Sequence, residues 1–320
     1  MKAAVVHGPG QTPVYREFDD PTPREGFTVL RVAASALSNA TRARATGSHY
    51  SLAGSFPLIP GIDGVGRTAD GTRVAFLMPE SPYGGMAEKT LVRDALSLPV
   101  PDDISDVLAA AILNPGQSPL GALRTRAGIQ PGETVLVNGA TGITGQIAVQ
   151  VAKHLGAGRV IATGRNADAL ARLRQLGADD TVDLTADADS LQDALAARFA
   201  DGGVDIVVDY LSGPPTEAVL AAIGSSHTVA KPLRYVIAGT AAGPSTTVPT
   251  SVLGSSSLVV MGSGIGAVRV PDIVRASAEA LQIAASAKLQ IDLNAIPLAH
   301  VEQNWSGGAS RDRTVFTIEP

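Results

Sequence analysis

The chain has 320 residues, a net charge of −5, 45% hydrophobic and only 4% aromatic residues, and no cysteine. Without cysteine there are no disulfides, iron–sulfur clusters or thiolate zinc sites. The acidic balance without a basic run excludes a nucleic-acid footprint, and no apolar run reaches the ~20 residues of a membrane span.

In chain order, the opening MKAAVVHGPG reads as a first strand rather than a secretory leader, so a cytoplasmic location is expected. The segments KAAVV, FTVLRVAASAL, TRVAFLM and AEKTLV, separated by proline and glycine turns, predict a small β-rich domain. A helical stretch from Ser105 to Arg126 is expected to break at Pro115-Gly116, and Pro131-Gly132 marks a turn. From Thr134 the pattern changes. Five or six apolar strands alternate with helices, which predicts a doubly wound parallel sheet of the α/β class. Residues 270 to 287 read as an amphipathic helix, and the tail from Gln290, with TVFTI, returns to strands that complete the first domain.

The most informative stretch is TVLVNGATGITGQIAVQVAKHLG, residues 134 to 156. Gly139, Gly142 and Gly145 stand where a buried strand turns into a helix whose apolar stripe is Ile147, Val151 and Leu155. A turn this tight needs residues without a Cβ, and a diphosphate then approaches the bare amides of Thr141, Ile143 and Thr144. The next strand ends at Ala162-Thr163-Gly164-Arg165-Asn166. An NAD site carries an acid here; this chain has none and offers Gly164 and Arg165 instead. A guanidinium matches the 2′-phosphate, so NADPH is the expected cofactor. Asp209-Tyr210, Gly239-Thr240 and Gly262-Ser263-Gly264 follow later strands, where a nicotinamide is expected.

MKAAVV, FPLIPGIDGVG, YGGMAEKTLV, IQPGETVLVNGATGITGQIAVQVAKHLGA, VDIVVDYLSGPP and TVFTIEP together resemble the zinc-free quinone oxidoreductase branch of the medium-chain dehydrogenase/reductase superfamily. The resemblance implies a GroES-like catalytic domain, residues 1–115 and 288–320, around a Rossmann domain, residues 116–287. Zinc relatives have G-H-E-x-x-G where this chain has Gly61-Ile62-Asp63-Gly64-Val65-Gly66, so no metal is expected and Asp63 reads as a turn residue. By the same resemblance Ser118 contacts the nicotinamide. Ser38 and Thr41 replace an asparagine and aspartate of quinone reductases.

For the acceptor side, Tyr50 is the first choice, as a phenol able to hold or protonate a carbonyl oxygen. His49 is a weaker proton donor. Arg42 and Arg44 read as surface residues, either of which can attract an anionic substrate. The expected activity is metal-free, NADPH-dependent reduction of a quinone or enone. Reduction of α,β-unsaturated ketones or thioesters, and dinucleotide binding with little catalysis, stay open as alternatives. SLVVMGSG reads as an apolar edge strand through which two copies form a homodimer.

Overall fold

The computed structural model describes residues 1–47, 56–200, 203–226, 231–306 and 312–319. The chain forms two compact units, Met1–Asn114 with Ser277–Pro320, and Pro115–Ala276. None of the described helices is long and apolar enough to cross a membrane.

In the first unit β1 (Lys2–Val5) pairs antiparallel with β2 (Val14–Glu17). The long β3 (Phe27–Ala36) is followed by α1 (Asn39–Ala45), β4 (Asp63–Arg67), β5 (Arg73–Leu77), β6 (Lys89–Arg93) and β7 (Ser97–Pro99). β3 pairs with both β4 and β6, and its register on β4 shifts between Val32 and Ala34. The Gly61–Gly66 segment is therefore more than a turn, because its second half is a buried strand. Glycine permits this: a Cβ at Gly64 would stand 2.6 Å from the Ala34 carbonyl oxygen.

α2 (Asp106–Leu120) runs through Pro115 and Gly116 unbroken and continues into a π-helical turn, Gly121–Ala127. The expected break is thus corrected. Burial of Ala109 to Leu113 and of Leu120 outweighs the loss of one helical hydrogen bond at a proline, and the wider π turn accommodates the misfit.

The second unit alternates strand and helix: β8 (Thr134–Asn138), α3 (Ile143–His154), β9 (Arg159–Gly164), α4 (Ala167–Gln175), β10 (Asp180–Asp183), α5 (Ala188–Ala200), β11 (Ile206–Asp209), α6 (Pro214–Ser226), β12 (Leu233–Ile237), α7 (Thr250–Ser255) and β13 (Leu258–Gly262). The parallel sheet has the order β10-β9-β8-β11-β12-β13. It is the doubly wound arrangement, with its switch point between β8 and β11, and ligands bind at the carboxyl ends of strands flanking such a point. The central strands are buried on both faces, which is why they read as continuous runs of valine, leucine and isoleucine.

α8 (Val270–Ser286) spans the division between the units. Its second half, with buried Ala280, Leu281, Ile283 and Ala284, groups with the first unit, the division falling at 276/277. β14 (Leu293–Pro297), α9 (Val301–Asn304) and β15 (Arg313–Thr317) complete that unit in a seven-stranded sheet ordered β14-β15-β3-β4-β5-β7, with β6 on β3.

Candidate active site

The three glycines between β8 and α3 do three different things. Gly139 has φ +84°, a left-handed turn conformation, and a Cβ there would meet Leu211 at 2.7 Å. Gly145 packs the helix start onto the turn, since its Cβ would stand 2.5 Å from Ala140 Cα. Gly142 occupies the N-cap of α3, supplies no side-chain cap, and faces open space with no atom within 4 Å of a notional Cβ. The first helical bond runs from the Gln146 amide to the Gly142 carbonyl at 2.9 Å, so the amides of Ile143, Thr144 and Gly145 precede the ladder. Uncapped amides, the positive end of the helix and open space together make an anion seat. Thr141 packs beside it against Gly164, where a Cβ would lie 2.2 Å from Thr141 Cγ2.

Beyond Gly164, Arg165 is exposed and pairs with no group among the described residues. Asn166 caps α4, its side-chain oxygen accepting from the Ala169 amide at 2.8 Å. No carboxylate occupies the Gly164–Asn166 segment. The residues present thus fit a dinucleotide bearing a 2′-phosphate.

The carboxyl ends of β11 and β12 carry the next group of expected residues. Asp209 is fully buried, and its carboxylate is consumed by five protein donors. Oδ2 accepts from Asn138 (3.1 Å), Thr216 (2.6 Å) and Tyr235 (2.5 Å); Oδ1 accepts from the amides of Leu211 (2.7 Å) and Ser212 (3.3 Å). The side chain is a structural hub with no acceptor capacity left for a ligand. The Tyr210 hydroxyl is buried without a well-formed hydrogen bond; burial raises its pKa, and the Ser118 hydroxyl beside it opposes that rise. Two residues expected near the nicotinamide thus lie together. Gly239 packs against Tyr210, with a notional Cβ 2.6 Å from its carbonyl oxygen, and Thr240 follows it, exposed. The Ser263 amide continues the β13 pairing to Ile237 O at 2.8 Å, flanked by Gly262 and Gly264, and the Ser263 hydroxyl lies 3.6 Å from a Cβ built on Gly121.

In the first unit Ser38 and Thr41 lie together at the start of α1. Ser38 is the N-cap of α1, accepting from the Thr41 amide at 2.9 Å, and the two hydroxyls are 2.9 Å apart and buried. Tyr50 and His49 lie outside the described residues. Arg42 donates to the Trp305 carbonyl at 3.1 Å. Arg44 is half-buried with no partner among the described residues; burial lowers its pKa, and it lines a surface pocket with Ile59, Gly61, Ser81 and Tyr83.

One buried pair was missed. Burial raises the Asp63 pKa to about 7, against the opposing Arg313 charge and an Asn114 backbone hydrogen bond. Burial lowers Arg313 to about 10; its Nη1 donates to Leu37 O at 2.9 Å, just before the α1 cap. An acid opening a buried, glycine-rich strand was the available signal, but the partner lies 250 positions away.

No ligand set for zinc is present among the described residues. Ile62 stands at the turn, the chain has no cysteine, and the described residues contain no group of three His, Asp or Glu side chains able to share an ion.

The fold and the glycine turn define a two-unit, dinucleotide-binding α/β protein. Residues 144–282 match the family model described as zinc-binding dehydrogenase. The chain is 30% identical to a probable NADPH-dependent quinone reductase of Emericella nidulans, with 96% of each chain covered. It is 29% identical to a 2-haloacrylate reductase of a Burkholderia species, covering 74% of this chain and 77% of that one. The solved quinone oxidoreductase of Thermus thermophilus, described with its NADPH complex, superposes with a TM-score of 0.80 at 28% identity, covering 99% of this chain and 100% of that one. The protein belongs to the medium-chain dehydrogenase/reductase superfamily, in its quinone reductase branch, and is an oxidoreductase.

Proposed function

We propose that the protein is a zinc-independent, NADPH-dependent reductase of conjugated acceptors, quinones or enones. The carrying observation is the start of α3 without a side-chain cap, with Arg165 pairing with no group among the described residues and no acid at the end of β9. The relatives named for NADPH support the same reading. The amides of Ile143, Thr144 and Gly145 hold the diphosphate, and Arg165 holds the 2′-phosphate. NADPH, when bound, supplies the hydride; the protein supplies binding and orientation. A conjugated acceptor needs less electrophilic help than a simple ketone, which suits described residues that hold no ligand set for zinc. NADPH consumption against a panel of quinones and enones tests this. Tight binding without oxidation of any of them would mark the chain as a dinucleotide binder.

Arg165→Ala is expected to cost about 1.5–3 kcal/mol in NADPH binding, roughly 10- to 150-fold, and to leave NADH unchanged. Equal losses for both nucleotides in paired titrations would contradict the placement of the 2′-phosphate.

A second reading, reduction of a conjugated acid, is favoured by Arg44. A half-buried guanidinium with no counter-ion among the described residues favours a carboxylate in its pocket, and one relative is named for a haloacrylate. Arg44→Gln is expected to raise KM roughly tenfold or more for unsaturated acids while sparing neutral quinones, by the ~1.5–3 kcal/mol of a charge-assisted bond. The same KM change for both acceptor types would remove this reading.

β13 is an edge strand with Val259 and Val260 exposed, at 44% and 37%, and Leu253 exposed nearby in sequence. Such an edge invites pairing, so a homodimer joined there is proposed. Gel filtration is expected to give twice the 32.6 kDa chain mass, and a monomer at working concentration would end the proposal.

A further inference from the structure

A line of buried polar side chains crosses four adjacent strands beneath the glycine turn. It starts at the turn, where the Gly139 amide donates to Thr163 Oγ1 at 3.0 Å. The Thr163 hydroxyl donates in turn to Asn138 Oδ1 at 2.6 Å, and Asn138 Nδ2 donates to Asp209 Oδ2. The Tyr235 hydroxyl reaches the same oxygen from β12. Thr163, Asn138, Asp209 and Tyr235 all have zero exposure. Asn138 and Asp209 end β8 and β11, Thr163 is the last residue but one of β9, and Tyr235 is the middle residue of β12.

Every donor and acceptor in the line has one direction. The Gly139 amide can only donate, so the Thr163 hydroxyl accepts from it and gives its proton to Asn138 Oδ1. The Asn138 amide group is thereby fixed with its nitrogen toward Asp209. Tyr235 remains a donor, because burial and the Asp209 charge hold its phenol protonated. A fully satisfied buried network is rigid, and none of its members has an alternative partner in water.

We infer that this line sets the conformation of the Gly139 turn, and that Thr163 is a positioning residue for the dinucleotide. The inference rests on the cofactor reading above. The turn carries the amides that grip the diphosphate, and those amides bind well only if presented in the bound geometry beforehand. Thr163 fixes the turn's first amide, and Ala140 adds a bond from its own amide to the Thr163 carbonyl at 2.8 Å. The 2′-phosphate plays no part. Any loss therefore falls equally on NADPH and NADH, the opposite of the Arg165 signature.

The test is calorimetric titration of wild type, Thr163→Val, Thr163→Ser and Tyr235→Phe with both nucleotides. Thr163→Val keeps shape and removes the hydroxyl; its Kd is expected to rise about tenfold for both nucleotides. Thr163→Ser, which keeps the hydroxyl, is expected to stay within about threefold of wild type, a rescue that a purely packing role would not give. Tyr235→Phe lies at the far end of the line and is expected to weaken both nucleotides together, by about threefold. That measurement decides the matter if Thr163→Val does not fold. Wild-type affinity in Thr163→Val, or in Tyr235→Phe where Thr163→Val is unfolded, overturns the inference even if melting temperatures fall. If wild type binds neither nucleotide, the cofactor reading itself fails, and this inference with it.

Discussion

Gly142→Asp is expected to leave the chain slightly more stable and unable to hold a dinucleotide. Position 142 has φ −79° and ψ 165°, the extended conformation of an N-cap, so aspartate enters without strain. Nothing lies within 4 Å of its Cβ position. Its carboxylate would accept from the amides that precede the Gln146 bond and face the positive end of α3. Together these stabilise by about 0.5–1 kcal/mol. The same carboxylate takes the place proposed for the diphosphate and repels it. Affinity for NADPH and NADH is expected to fall by about 100-fold or more, the equivalent of ~3 kcal/mol. A thermal melt alongside calorimetry reads both effects. A stabilised variant that binds normally would show that the diphosphate sits elsewhere.

Asp209→Ala has the largest expected effect on folding. It leaves the Asn138 amide group, the Thr216 and Tyr235 hydroxyls and two backbone amides without an acceptor inside the core. Removing one partner of a buried charged network costs about 3–5 kcal/mol. For a unit of this size that corresponds to a fall of roughly 6–20 °C in Tm. Circular dichroism melts check it. A fall within about 2 °C would mean that the five donors find other partners, contrary to the hub described here.

The glycine turn was legible because its constraints are local. A left-handed φ at Gly139 and backbone contact at Gly145 each forbid a side chain, whereas a side chain at Gly142 would meet no protein atom and would instead fill the space proposed for the diphosphate. The parallel sheet was equally legible, since strands buried on both faces become unbroken aliphatic runs. Asp209 was read by its place at a strand end, and so as a ligand contact. Its side-chain donors come from 71, 26 and 7 positions away, and no local pattern shows that they converge. Ser38 and Thr41 were read through a resemblance that placed them at the acceptor, although Ser38 three residues before Thr41 is also the spacing of a helix cap. Asn138 and Thr163 carried a signal of their own, as polar residues ending or closely following otherwise apolar strands, VLVN and VIAT.

The proposed function depends on backbone amides at the start of α3 gripping a dinucleotide diphosphate. Nuclear magnetic resonance of the labelled wild-type chain during an NADPH titration tests it most directly. Saturable shifts of the Ile143, Thr144 and Gly145 amides that follow the calorimetric binding curve are expected. Binding that leaves those three amides unmoved, or no binding at all, would contradict it.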